Sequence, residues 1–168
     1  LRDIPATKSD ELDNFIYKSP LGIIFVMAPW NYPIITATNT IVPALLAGNT
    51  IVIKHSSQTP RCAELISEAF KNTGLPEGVF QFVHTDHKAC EKIIADPRIA
   101  HVVFTGSVRG GQEVKKYIGT RFINVGLELG GKDPAYVRSD ANLNHAIENL
   151  VDGGMFNSGQ SCCGIERI

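Results

Sequence analysis

Residues 22–54 read GIIFVMAPWNYPIITATNTIVPALLAGNTIVIK, and this stretch gives the strongest indication of the fold. Its first part, residues 22–28, is a short apolar run that ends at Pro29, as is typical of a buried parallel strand. Residues 34–47 have the length and composition of a helix, and residues 50–54 predict a second strand. A strand, a helix and a strand in this order favour a parallel β-α-β unit.

The same alternation continues along the chain. Further strands are predicted at residues 79–84, 101–104 and 124–129, and further helices at residues 60–73, 87–95 and 107–118. Thr59 and Asp86 are candidate N-caps for the first two of these helices. Repeated strand-helix units of this length require a mostly parallel sheet with right-handed crossovers. The predicted fold class is therefore α/β, an open Rossmann-like sheet with helices on both faces.

Polar and glycine-rich segments follow several of these strands. Pro29-Trp30-Asn31, Lys54, Thr105-Gly106-Ser107 and Glu128 all fall at or near predicted carboxyl ends. In open parallel sheets, ligands bind beyond the carboxyl ends of the strands. The pattern alone therefore predicts a binding site that these segments share.

The composition excludes several classes of function. With 16 basic and 17 acidic residues among 168, the net charge of -1 offers no electrostatic footprint for nucleic acid or an anionic membrane. The longest apolar runs, 21–29 and 41–47, are too short to span a bilayer. The four cysteines have no disulfide-framework spacing and the chain has no N-x-S/T sequon, which together favour a reducing, cytoplasmic location.

Two glycine-rich bends carry the residues best suited to covalent chemistry. Residues 156–163 read FNSGQSCC, and residues 128–132 read ELGGK. A cysteine after such a bend is a candidate nucleophile, and a glutamate in the other bend is a candidate base. Without their surrounding motifs, Cys162 would be better interpreted as a buried core thiol, and Glu128 as a solvated loop residue. They lie 34 residues apart (162 minus 128), so only tertiary folding could bring them together.

Together with Pro29-Trp30-Asn31 and with Phe104-Thr105-Gly106-Ser107 followed by Gly111, these bends resemble four motifs of the aldehyde dehydrogenase superfamily, in the family's order. The resemblance implies that Cys162 attacks an aldehyde and that Glu128 activates water to hydrolyse the resulting thioester. It also implies that Asn31, which alone could be an Asx turn, donates to the oxyanion together with the Cys162 N–H. Cys163 lies off the motif, and no role is assigned to it.

The resemblance further implies NAD or NADP as cofactor. Gly106, Ser107 and Gly111 match the family's G-S-x-x-x-G turn, with Ser107 and Trp30 flanking the pyrophosphate, and a helix N-terminus is suited to phosphate. Lys54, which alone could be an exposed strand-end lysine, would bind the adenine-side ribose. Ser57 stands where many members have a glutamate that binds the ribose 2′-hydroxyl, so NADP should become more acceptable.

The family's domain plan predicts three segments. Residues 1–20 would be the end of an oligomerisation arm, 21–132 the dinucleotide-binding domain and 133–168 the start of a catalytic domain. We interpret the chain as an internal fragment, inactive by itself, of a protein that forms a homodimer or homotetramer. The small-molecule substrate would be an aldehyde. The arginine that grips succinate semialdehyde in some members is replaced here by Asn39.

Three alternatives remain. A metal site at His84, His87 and Cys90 is disfavoured because they straddle a strand end and a helix start and further ligands are missing, so no metal is predicted. A relative that passes the acyl group to coenzyme A is disfavoured by the intact Glu128. A binding or structural module that keeps only the fold is disfavoured by the complete set of Cys162, Glu128 and Asn31.

Overall fold

A computed structural model describes residues 2–8 and 12–168. The strands are β1 (Ile4–Lys8), β2 (Asp13–Ile16), β3 (Ile23–Ala28), β4 (Thr50–His55), β5 (Phe80–Phe82), β6 (Ile99–Thr105), β7 (Asn124–Glu128), β8 (Asp133–Pro134) and β9 (Ile165–Arg167). The helices are α1 (Pro33–Leu46), α2 (Arg61–Lys71), α3 (His87–Ala95), α4 (Val108–Ile118) and α5 (Leu143–Met155), and a 3₁₀ turn spans Phe156–Gly159.

The central sheet has five parallel strands in the order β5-β4-β3-β6-β7. β3 lies in the middle, where Val26 is in register with Ile53 of β4 and Val103 of β6. The order reverses at β3, since the chain first builds outward through β4 and β5 and then crosses to β6 and β7. The predicted α/β fold with a parallel sheet is confirmed.

Each face of the sheet has its own hydrophobic core. Ile24 and Val26 of β3 pack on the side of α1 and α2, in a cluster that includes Ile41 and Ala63. The alternate residues Phe25 and Met27 pack on the side of α3 and α4. A strand with both faces buried must be apolar at every position, which explains the uninterrupted run that β3 shows in the sequence.

Of the two N-cap residues predicted from the sequence, one caps its helix and the other does not. The Ala89 N–H donates to Asp86 Oδ1 at 2.8 Å, so Asp86 caps α3 as expected. The prediction for Thr59 was wrong, because α2 begins after Pro60 without a side-chain cap and the buried Thr59 hydroxyl has no partner among the described residues. Pro60 already fixes a helical φ of -65°, so the helix can begin there without that hydrogen bond.

The remaining elements lie outside the two cores. β1 and β2 form an antiparallel ribbon, and β8 pairs in parallel with β9 across the segment that contains α5. None of the α5 residues is buried. Within residues 2–8 and 12–168, none of the helices combines the length and the apolar character that crossing a membrane requires.

Candidate functional site

A cavity of about 670 Å³ opens at the carboxyl ends of the central strands. This volume falls within the range of about 300–1,000 Å³ that small-molecule sites occupy. Of the nine catalytic and cofactor-binding residues predicted from the sequence, seven line it: Trp30, Asn31, Lys54, Ser57, Gly106, Ser107 and Cys162. The fold therefore gathers segments that are up to 132 residues apart in the chain (162 minus 30) around one cavity.

The turn between β6 and α4 forms one wall of the cavity. Ser107 caps α4 by accepting a hydrogen bond from the Gly110 N–H at 3.1 Å, and the Gly106 N–H donates to the Glu128 carbonyl at 2.9 Å. A Cβ on Gly106 or Gly110 would lie 2.6 or 2.5 Å from Cζ of Phe104, so both glycines make room for that ring. The result is a rigid turn that presents a helix N-terminus to the cavity, an arrangement suited to phosphate.

Gly111 has a different position from its neighbours in the same motif. It is buried outside the cavity wall, and a Cβ there would lie 2.8 Å from Cδ2 of Leu129. Leu129 itself lines the cavity. The geometry therefore gives Gly111 a packing role that seats α4 against the bend after β7, and its assignment to cofactor binding stays a prediction.

Lys54 and Ser57 lie on the wall formed by the end of β4. Lys54 is half-buried and Ser57 is exposed. His55 points to the opposite face and is buried, and its Nε2–H donates to the Pro33 carbonyl at 2.9 Å. Burial lowers the pKa of His55 below its usual value, which favours the neutral ring. His55 thus ties the end of β4 to the start of α1 and fixes the position of the loop that carries Ser57.

Cys162 is exposed and is reached through an unusual turn. Asn157, Ser158 and Gly159 are consecutive residues in the left-handed region, with φ of 52°, 59° and 73°. Few non-glycine residues adopt this conformation, although Asn tolerates it better than most. Since strained backbone is held only where its surroundings determine it, the turn points to a defined placement of the cysteine.

The two glycine-rich bends meet at Gly131. A Cβ on Gly131 would lie only 2.1 Å from the carbonyl oxygen of Cys162, so the backbones are in direct contact. Gly130 has open space around it. Tertiary folding therefore brings the 128–132 bend into contact with the cysteine, although the two are far apart along the chain.

Glu128 ends β7 close to this contact, but its side chain is exposed, and the residues that line the cavity at this point are Leu129 and Gly130. Glu128 therefore directly precedes two lining residues in the chain but is not itself part of the lining, whereas Cys162 is. Its role as the base stays a prediction.

Asn31 connects the cysteine turn to the end of β3. Its Nδ2 donates to the Gln160 carbonyl at 2.9 Å. An amide NH₂ has two N–H donors, so this bond orients the group and leaves its second N–H available. Asn31 therefore has a fixed direction within the same cavity as Cys162.

The sequence prediction of the binding site did not include His87 and Cys90, which were considered only as metal ligands. His87 and Cys90, three positions apart on α3, share one face of the helix and line the cavity, whereas His84 pairs with Glu64 of α2 at 2.9 Å. The helical spacing of His87 and Cys90 was the available signal. No group of three metal-ligating side chains occurs within the described ranges.

The comparisons with known proteins agree on one family. The model of the aldehyde dehydrogenase family matches residues 2–168. A succinate semialdehyde dehydrogenase of Escherichia coli (strain K12), named as using NAD(P)+, is 40% identical over 149 residues, covering 89% of this chain and 32% of the relative. An NADP(+)-named succinate-semialdehyde dehydrogenase of Mycobacterium avium (strain 104) is 38% identical over 154 residues, covering 92% and 33%.

Solved structures show the same likeness. The NAD+ complex of an aldehyde dehydrogenase from Bacillus cereus superposes with a TM-score of 0.91 at 33% identity, covering 98% of this chain and 34% of that one. A succinic semialdehyde dehydrogenase from Streptococcus pyogenes with NADP+ gives a TM-score of 0.89 at 29% identity, covering 98% and 36%. The chain spans about a third of the length of the curated relatives that it matches.

Proposed function

The chain belongs to the aldehyde dehydrogenase family, and we propose that the protein oxidises an aldehyde to a carboxylic acid with NAD or NADP through Cys162. The observation that carries this proposal is that Cys162, Asn31 and the phosphate-type turn at Ser107 all line one cavity. Because Lys54 and Ser57 line the same cavity, it has room for the nucleophile at one side and for a dinucleotide along the other.

In the proposed reaction, the Cys162 thiolate forms a bond to the aldehyde carbon and the carbonyl oxygen becomes an oxyanion. The free N–H of the Asn31 amide and the Cys162 backbone N–H are the donors that stabilise this charge. Because Gln160 already holds the Asn31 amide, little reorganisation is needed when the charge develops.

A bound dinucleotide would supply the acceptor for the hydride that leaves the same carbon, and Cys162 would then carry the acyl group as a thioester. Glu128 takes a proton from water, whose oxygen attacks the thioester carbon. The sulfur–carbon bond breaks, the carboxylic acid leaves and Cys162 is free again. The exposure of Glu128 is compatible with this step, because the attacking water must come from solvent.

The residues present fit a dinucleotide. The capped N-terminus of α4 offers N–H groups to the pyrophosphate, and Lys54 offers donors to a ribose. Ser57 presents a hydroxyl in place of a carboxylate, so the site lacks the charge that would repel a 2′-phosphate. We therefore include NADP as an acceptable cofactor.

Three further predictions belong to this proposal. The protein is a homodimer or homotetramer to which residues 1–20 contribute an arm, while residues 21–132 bind the cofactor and 133–168 begin the catalytic domain. Its location is the cytoplasm, since its four cysteines are free thiols. The substrate is an aldehyde, and the exposed amide of Asn39 supplies no cation for a second carboxylate.

The test compares two adjacent cysteines, both exposed. Cys162→Ser should abolish NAD(P)-dependent aldehyde oxidation while cofactor binding persists, because the substitution removes the nucleophile and no cofactor contact. Cys163→Ser is the matched control and should retain most turnover. Equal losses in the two variants, or activity that survives in Cys162→Ser, would contradict the assignment.

A further inference from the structure

Asn157 belongs to the left-handed turn that precedes Cys162. Among the three residues of this turn, only the side chain of Asn157 forms a hydrogen bond that the described residues show with a predicted active-site residue. Its Nδ2 lies 3.4 Å from the Asn31 carbonyl and 3.5 Å from the Gln160 carbonyl. The Asn31 amide donates to that same Gln160 carbonyl. The three residues therefore form one network that joins the end of β3 to the cysteine turn.

The backbone of Asn157 also serves the turn. Its carbonyl accepts the Gln160 N–H at 3.1 Å, and its φ of 52° aims the side chain back toward Asn31. Asparagine is among the few residues that accept this conformation and can still donate two N–H bonds. The neighbouring Ser158 has nearly the same φ of 59°, yet its side chain makes no hydrogen bond that the described residues show.

We propose that Asn157 is a positioning residue of the aldehyde oxidation: its amide bridges the Asn31 and Gln160 carbonyls and so holds the Asn31 amide in the direction from which it donates to the oxyanion. Asn157 itself touches no reacting atom. The inference rests on the proposed function, because it assigns the residue that supports one of its donors.

The test removes the amide without straining the turn. Asn157→Gly keeps the left-handed backbone, and Ser158→Gly is the matched control, since it makes the same change at the adjacent residue. Asn157→Gly should lower kcat by about 10- to 100-fold, as a modest misplacement of a reacting group does. Ser158→Gly should stay within about twofold of wild type, as expected where no interaction is lost. The KM for the cofactor should be unchanged in both.

The second arm asks whether Asn157 acts through Asn31. Asn31→Ala should lower kcat by about 100- to 1,000-fold, as loss of an oxyanion donor does. In that background Asn157→Gly should cause little further loss, because the group it positions is gone. Independent losses that multiply would overturn the inference.

The third arm is alkylation of Cys162 by iodoacetamide, a displacement that develops no oxyanion. Its rate should be the same in wild type and Asn157→Gly. A rate that falls in parallel with kcat would show that Asn157 merely holds the cysteine loop, and would overturn the inference. Equal turnover of Asn157→Gly and Ser158→Gly would overturn the inference alone, whereas a wild-type protein without aldehyde oxidation would overturn the proposed function as well.

Discussion

The sheet and the cysteine segment are held in place by different physical means. Five of the six residues of β3 are buried, and two separate cores cover its faces. In α5, which leads into the cysteine turn, no residue is buried, and Leu143, Ile147, Val151 and Met155 are exposed at four-residue spacing. The region that carries the proposed cofactor site is thus fixed by apolar packing, whereas the region that carries the proposed nucleophile depends on a few particular contacts.

Those few contacts are close and specific. Gly131 lies against the carbonyl of Cys162, and Gly153 lies where a Cβ would be 2.6 Å from Cδ1 of Ile165. Asn31 holds Gln160 across the two regions, and Lys132 pairs with Glu166 at the surface. An exposed ion pair contributes little to stability, so the glycine contacts and the Asn31 bond are the ones that place Cys162.

The largest difference between the two regions should appear in stability. Phe25→Ala removes a side chain with 0% exposure and should lower the free energy of unfolding by about 3–5 kcal/mol, the usual cost of truncating a buried aromatic residue. Ile147→Ala removes a side chain with 50% exposure and should change it by less than about 0.5 kcal/mol. Urea denaturation of both variants measures this contrast. Equal losses would mean that α5 is as well packed as the sheet.

The next prediction concerns the contact between the two bends. Gly131→Ala places a Cβ against the Cys162 carbonyl, and backbone atoms cannot move aside as a flexible side chain can. We expect kcat to fall about 100-fold, because the nucleophile is displaced by an ångström or so. The melting temperature of the protein should change little, since neither hydrophobic core includes Gly131.

Gly130→Ala is the control for that experiment, because a Cβ there meets nothing within 4 Å. Steady-state kinetics of the two variants should therefore differ sharply although the substitutions are adjacent and identical. A similar loss in Gly130→Ala would show that flexibility of the bend matters more than its contact with Cys162.

The apolar pattern predicted the sheet well because burial leaves a direct mark on composition. β3 is buried on both faces, so every one of its positions had to be apolar, and the run was visible. β5, at Phe80–Phe82, is shorter than predicted. It is an edge strand, and the apolar pattern that burial imposes is weaker in edge strands. The order of the strands had no local signal and came only from the structure.

The site was harder to predict than the sheet because its geometry depends on contacts between distant segments. The motifs predicted roles for Cys162 and Asn31, but the bond from Asn31 to the Gln160 carbonyl spans 129 residues and involves a backbone atom. The left-handed turn at Asn157 had only a weak signal, since Asn and Gly are common in loops of every kind. The exposure of Glu128 could not be read from composition.

The smallest effect is expected in the preference between NAD and NADP, which the well-packed sheet region should determine. Ser57→Glu adds a carboxylate to an exposed position on the cavity wall and should weaken NADP relative to NAD by about 1–3 kcal/mol. The measurement is kcat/KM for each cofactor in wild type and variant. If wild type already rejects NADP as strongly as Ser57→Glu does, another residue sets the preference.

In the proposed mechanism Cys162 forms a thioester which Glu128 then helps to hydrolyse, although the two residues belong to separate bends that meet at Gly131. Glu128→Gln keeps the shape of the side chain but cannot accept a proton. A rapid-quench measurement on this variant should show a burst of NAD(P)H that matches the concentration of sites, followed by slow turnover with an acyl group retained on Cys162. Uniform slowing of the burst and of the later phase, with no acyl group on Cys162, would contradict this mechanism.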